Sequence, residues 1–105
     1  MIQTALSALV EPQRRKILML IHGKELTSST IAAHFDISAP AVSQHLKILE
    51  ESGLVNMRRE GNRRYYSFRK AGLEDIKAFV DQFWDDALVL LKKAAEEEGK
   101  KHGDR

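Results

Sequence analysis

The chain has 105 residues, 43% hydrophobic and 30% charged, a composition that fits one soluble globular domain able to bury a core without disulfides or metals. It has no cysteine, which excludes a disulfide framework and any thiolate chemistry and is compatible with a reducing compartment. The formal net charge of +2 is too small to diagnose a partner, but it is unevenly placed: residues 1–69 hold ten Lys/Arg against six Asp/Glu, and residues 70–105 seven against nine. A basic first part suits a polyanion and an acidic last part suits a surface kept away from it.

Residues 1–10 have weak helical periodicity, with Ile2, Ala5, Leu6 and Leu9 at helical spacing. Ten residues cannot hold a helix alone in water, so this one must pack on something. Glu11-Pro12 starts a second helix, Ile17, Leu18, Leu20 and Ile21 give it a broad buried face, and Gly23 ends it. Its basic triplet Arg14, Arg15 and Lys16 is explained as well by a solvated face as by phosphate contacts. Lys24-Glu25-Leu26 is short enough for a small strand, and residues 27–35 form a short helix-like segment followed by a turn at Asp36-Ile37.

Residues 38–53 then carry Ser38 as an N-cap, Pro40 in the first turn and Gly53 as the stop. Val42, Leu46 and Leu49 form one apolar stripe, while Ala41, Ser43, Gln44, Lys47 and Glu51 lie opposite. Small residues at the start (Ala39, Pro40) allow close approach of the backbone, and Ser43 and Gln44 are short donors and acceptors suited to base edges. Taken alone, the stretch is equally an ordinary amphipathic helix. The preceding short helix and turn make it the second element of a helix-turn-helix, the one that enters the major groove of DNA. Residues 54–68 follow as a β-hairpin with Gly61-Asn62 at its tip and Arg58, Arg59, Arg63 and Arg64 flanking it. Tyr66 and Phe68 share one face and Tyr65 and Ser67 the other, the first pair being best explained by packing. Four like charges near one turn repel, a cost that makes sense where phosphates lie between them.

The long pattern over residues 73–98 places Leu73, Ile76, Val80, Phe83, Ala87 and Leu90 or Leu91 on one edge, widened by Phe79, Trp84 and Leu88. A basic hairpin directly after a helix-turn-helix is the plan of a winged helix, and a domain that small cannot cover that much apolar surface, so part of it is expected to pack on a second copy of the chain. The expected organisation is one domain over residues 1–95 and a polar, glycine-broken, frayed tail over residues 96–105.

The run from Leu9 through Leu18, the helix from Ser38 to Leu49 and the segment Gly61-Asn62-Arg63-Arg64-Tyr65-Tyr66 resemble the ArsR family of bacterial winged-helix repressors, over roughly residues 5–84. The resemblance implies a mainly α fold with a small hairpin wing, and a homodimer built from the first and last helices, here Ile2, Ala5, Leu6 and Leu9 with Phe83, Trp84, Ala87 and Leu91. It implies binding of double-stranded DNA at a palindromic operator through Ser38, Ala39, Pro40, Ser43, Gln44, His45 and Lys47 of helix 38–52, and through Arg58, Arg59, Arg63, Arg64 and Tyr65 of wing 55–68. Metal-sensing members of that family carry a Glu-Leu-Cys-x-Cys motif. The matching residues here are Glu25-Leu26-Thr27-Ser28-Ser29, and hydroxyls are poor ligands for soft metals. A second family metal site uses Asp and His of the last helix, which here has Asp75, Asp81, Asp85 and Asp86 but no histidine before His102. No cofactor or metal is therefore expected.

Nothing resembles a phosphate-cradling loop, a cysteine nucleophile or a Gly-x-Ser-x-Gly turn, so no enzymatic activity is expected. No apolar run spans a bilayer and the N-terminus lacks a signal-peptide layout, so the chain is expected in the cytoplasm, without membrane contact. The expected function is a dimeric, sequence-specific DNA-binding repressor. The alternatives are a winged-helix protein-interaction module without DNA binding, and a repressor released by an apolar ligand near Phe79, Phe83 and Trp84, although dimer packing explains those aromatics more simply. The effector is not written in the sequence.

Overall fold

A computed structural model describes the backbone of residues 2–103 and the side chains of residues 3–99. The elements run α1 (Ile2–Val10), α2 (Pro12–Ile21), β1 (Glu25–Thr27), α3 (Ser28–Ala32), α4 (Ala39–Glu51), β2 (Val55–Glu60), β3 (Arg63–Phe68), a 3₁₀ turn (Lys70–Leu73) and α5 (Glu74–Gly103). This is the expected winged helix-turn-helix: α3 and α4 are the helix pair, and β2 and β3 are the wing.

The starts of α2, α3 and α4 each have a local chemical cause. The Glu11 carboxylate accepts from the Gln13 N–H at 3.2 Å, and Pro12 follows at the first helical position. The Thr27 hydroxyl accepts from the Thr30 N–H at 3.2 Å, and that of Ser38 from the Ala41 N–H at 3.3 Å. These side chains satisfy amide groups that have no partner within the helix. At the far end of α4, Gly53 has φ +76°, Gly53 N–H donates to Glu50 O and Leu54 N–H to Leu49 O, both at 3.0 Å. That pair of bonds is a Schellman ending, and fully buried Leu54 supplies its usual apolar contact.

The sheet order is β1-β3-β2, all antiparallel. Leu26 and Met57 both lie opposite Tyr66, and Val55 lies opposite Phe68, which fixes the inner face. Gly61, with φ +61°, and Asn62 close the hairpin between paired Glu60 and Arg63, with the glycine first as in a type II′ turn. Ile17 and Ile21 of α2, Ile31 of α3 and the α4 stripe Val42, Leu46 and Leu49 are all buried together with Leu54. That packing fixes the angle at which α4 presents its other face.

Two features differ from the sequence reading. Helix α5 continues through Gly99 to Gly103, past the expected stop near residue 98, because a single glycine costs a helix only about 1 kcal/mol and the flanking residues favour helix. Ala5 is buried within its own protomer at 2% exposure, so it is core rather than a free dimer contact. The free apolar side chains of α1 are Leu6 and Val10, and Leu9 is half-buried against the core. The side chain of Ile2 lies outside the described residues.

Candidate nucleic-acid interface

With the α4 stripe inside, Ser38, Ala39, Pro40, Ser43, Gln44 and Lys47 are all exposed, so one continuous face of the helix faces solvent from its first residue onward. Its start is polar and small, and the first longer side chain to emerge is Gln44. His45 departs from this face: it is half-buried, with Nδ1 3.5 Å from Arg14 Nη1 of α2.

The basic triplet of α2 is mostly committed elsewhere. Arg14 Nε donates to Ala8 O at 2.7 Å, and Arg15 Nη1 donates to Leu9 O at 2.6 Å and Val10 O at 2.9 Å. Two arginines thus cap the carbonyl end of α1, where cations are favoured. Of the triplet, only Lys16 presents an uncommitted charge to solvent among the described residues.

At the wing, Arg59, Arg63 and Arg64 are exposed, have no acidic partner among the described residues, and line a hollow of about 190 Å³ with Gly61 and Asn62. An anion would find three guanidinium groups there. Arg58 is different. Its Nε and Nη2 grip the Glu25 carboxylate at 2.9 and 2.7 Å, its Nη1 donates to Glu60 at 2.8 Å, and its guanidinium lies 4.3 Å over the half-buried Tyr65 ring. Hydrogen bonding from Arg58 holds the Glu25 carboxyl below its ordinary value, and Glu25 followed by Glu60 raises the guanidinium. The wing therefore offers three open arginines rather than four. Sequence reading missed Glu25 as a partner because 33 residues separate it from Arg58, and only the β1–β3–β2 order brings them together.

Thr27 and Ser29 lie 3.3 Å apart, hydroxyl to hydroxyl, and the Thr27 hydroxyl also donates to that of Thr30 at 2.8 Å. They belong to the cap of α3. Among the described residues no group of three or more His, Cys, Asp or Glu is gathered as a metal site. The hollow against α5 is lined by Phe68, Leu73, Ile76 and Val80 together with Lys70, Glu74 and Lys77, not by the aromatic set named from sequence. Phe79 and Phe83 instead form a tilted pair with centroids 5.0 Å apart, and Phe83 and Trp84 remain 60% and 59% exposed.

Comparison with known proteins places this arrangement. Residues 11–57, from the start of α2 into the wing, match the family described as bacterial regulatory protein, arsR family. The transcriptional repressor SdpR of Bacillus subtilis is 43% identical over 68 residues, 65% of this chain and 76% of that protein. The chain belongs to the ArsR family of bacterial regulatory proteins. The regulator Rv2034 of Mycobacterium tuberculosis is 38% identical over 96 residues, 90% of this chain and 89% of its own length. The solution structure of a homodimeric winged helix-turn-helix DNA-binding domain from Mycobacterium bovis superposes with a TM-score of 0.64 at 29% identity, over 81% of this chain and 79% of that one. This ArsR-family chain is thus a transcriptional regulator with a winged helix-turn-helix DNA-binding domain. Among the described residues, no helix is long and apolar enough to cross a membrane.

Proposed function

We propose that the chain acts as a dimeric transcriptional repressor in the cytoplasm, binding a palindromic operator and catalysing no reaction. The observation that carries this reading is the wholly exposed face of α4, Ala39, Pro40, Ser43, Gln44 and Lys47, set on a helix whose opposite stripe is fully buried. In this reading Ser43 and Gln44 meet base edges, Ala39 and Pro40 allow the close approach, and Ser38 and Lys47 lie along the sugar-phosphate backbone. Arg59, Arg63 and Arg64 supply the wing's phosphate or minor-groove contacts. Arg58 and Tyr65 hold the wing in shape, and His45 supports α4 from behind. The dimer uses Leu6 and Leu9 of α1 with Phe83, Trp84, Ala87 and Leu91 of α5, in keeping with the homodimeric relative.

The test separates sequence reading from charge. Gln44→Ala is expected to cost about 1–3 kcal/mol on the operator and little on random duplex. Arg63→Ala is expected to weaken all duplexes alike and to lower the salt slope by about 1. Binding titrations at several salt concentrations read both, and equal loss by Gln44→Ala on operator and random DNA would remove the assignment.

A further inference from the structure

Between α2 and the turn that follows α3 lies a hollow of about 280 Å³, lined by Gln13, Lys16, Leu20, His34, Phe35 and Asp36. None of these residues belongs to the exposed face of α4 or to the wing. Lys16, His34 and Asp36 are exposed, and neither Lys16 nor Asp36 has an ion-pair partner among the described residues. The His34 ring is oriented by a hydrogen bond between Nδ1 and Thr30 O at 2.9 Å. A carbonyl oxygen can only accept, so the bond puts the ring hydrogen on Nδ1 and leaves Nε2 free. In the neutral ring Nε2 carries a lone pair, which repels a phosphate oxygen, whereas in the charged ring it is a donor.

The charge of the hollow therefore turns on a single proton. Lys16 and Asp36 cancel, so the hollow is neutral overall with the neutral ring and cationic with the charged ring. The elements packed around α3 bring no further charge to it. The start of α4 carries none as far as Gln44, His45 turns to Arg14, and Lys47, Glu50 and Glu51 come in its later turns. On the sheet side Glu25 is held by Arg58, and Arg63 and Arg64 stand at the wing tip. On α2, Arg14 and Arg15 are bound to carbonyls of α1.

We propose that this hollow seats one phosphate of the operator backbone and that protonation of His34 switches the seat on. The proposal rests on the DNA-binding reading above and adds a contact that neither α4 nor the wing supplies. Position argues for this occupant. Asp36 and Ile37 lead directly into Ser38, the N-cap of α4, and in a helix-turn-helix the second helix enters the groove by its start while the first crosses the backbone. A hollow beside the start of α4 thus adjoins the strand that borders the groove. Lys16 supplies a point charge, the charged His34 a hydrogen bond from Nε2, and Gln13 an amide donor. Asp36 acts against the anion until the ring is charged, which makes the seat conditional. A bound phosphate favours the charged ring, so binding takes up a proton, and histidine changes charge between about pH 5 and 8.

The test measures binding to operator and to random duplex over a range of salt, at about pH 6 and about pH 8. With one seat per protomer and roughly 0.9 counterions released per phosphate, the salt slope is expected to be steeper at the lower pH by about 1–2. His34→Gln and Lys16→Gln are each expected to give the shallow slope at both pH values, and Asp36→Asn the steeper slope at both. His22→Gln, outside the hollow, is expected to keep the difference. All four side chains are exposed, so each variant should unfold near the parent's temperature. Equal parent slopes at the two pH values, with operator still preferred over random duplex, would overturn the seat and leave the DNA-binding reading standing. A pH difference that survives in His34→Gln would do the same. Failure to bind any duplex at either pH would remove the reading and the seat together.

Discussion

Arg58 illustrates how a residue's neighbours decide what its charge is free to do. All three of its guanidinium nitrogens are engaged by Glu25 and Glu60, so its contribution to phosphate binding is expected to be smaller than that of Arg63 or Arg64. Arg58→Ala should change the salt slope of DNA binding less than Arg63→Ala does, and Glu25→Gln, which frees Nε and Nη2 while Glu60 keeps Nη1, should steepen that slope by less than about 1. The same pair sets a pH dependence. The Glu25 carboxyl is lowered from its ordinary 4.5 by its hydrogen bonds from Arg58, so the unfolded chain takes up a proton at higher pH than the folded one. The pair's contribution to stability is thus present above the unfolded value and is lost as pH falls through the lowered folded value. Thermal unfolding followed from about pH 6 to about pH 3 should show a flatter acid limb for Glu25→Gln than for the parent. Both groups are exposed, so the effect is a change of slope rather than a collapse of the fold.

The elements themselves were largely legible in the sequence, because their causes are local. Ser38 and Pro40 begin α4, Gly53 ends it, and the Gly61-Asn62 turn closes the wing, each within a few residues of the structure it dictates. Contacts between distant elements were not legible. Arg14 and Arg15 give no sequence sign that they cap α1 instead of facing solvent, and Ala5 gives none that it packs inside its own protomer. Gly72 is a further case. Its Cα faces the Gly53 carbonyl so closely that any Cβ would collide with that backbone oxygen, while the Arg69 N–H donates to Leu54 O at 2.9 Å in the same junction. The end of the reading helix is thereby held against the turn that launches α5. Gly72→Ala must push two backbones apart and is expected to cost about 1–3 kcal/mol in urea unfolding. Gly99→Ala, where the added carbon meets nothing, should instead be neutral or slightly stabilising.

At the scale of the whole molecule, a net charge of only +2 means that duplex binding depends on where charge is concentrated rather than on its total. Three open wing-tip arginines per protomer, Arg59, Arg63 and Arg64, give six in a dimer, and at roughly 0.9 counterions released per phosphate neutralised they alone predict a salt slope of about −5. A two-fold pair of reading helices also fixes the operator's geometry, since each α4 must meet the same groove face about 34–36 Å, or one duplex turn, from its mate. The apolar helices α1 and α5 that would join the protomers leave little freedom to adjust that spacing. Inserting about 5 base pairs at the centre of an inverted repeat turns the second half-site to the opposite side of the duplex. Affinity is then expected to fall to that of a single half-site, with the complex still containing two chains, because the protein dimer persists when only one of its reading helices is engaged. Binding isotherms and sedimentation of the complex on the spaced and unspaced duplexes read the two quantities separately. Unchanged affinity on the spaced duplex would mean that the two reading helices are not held by a rigid two-fold dimer.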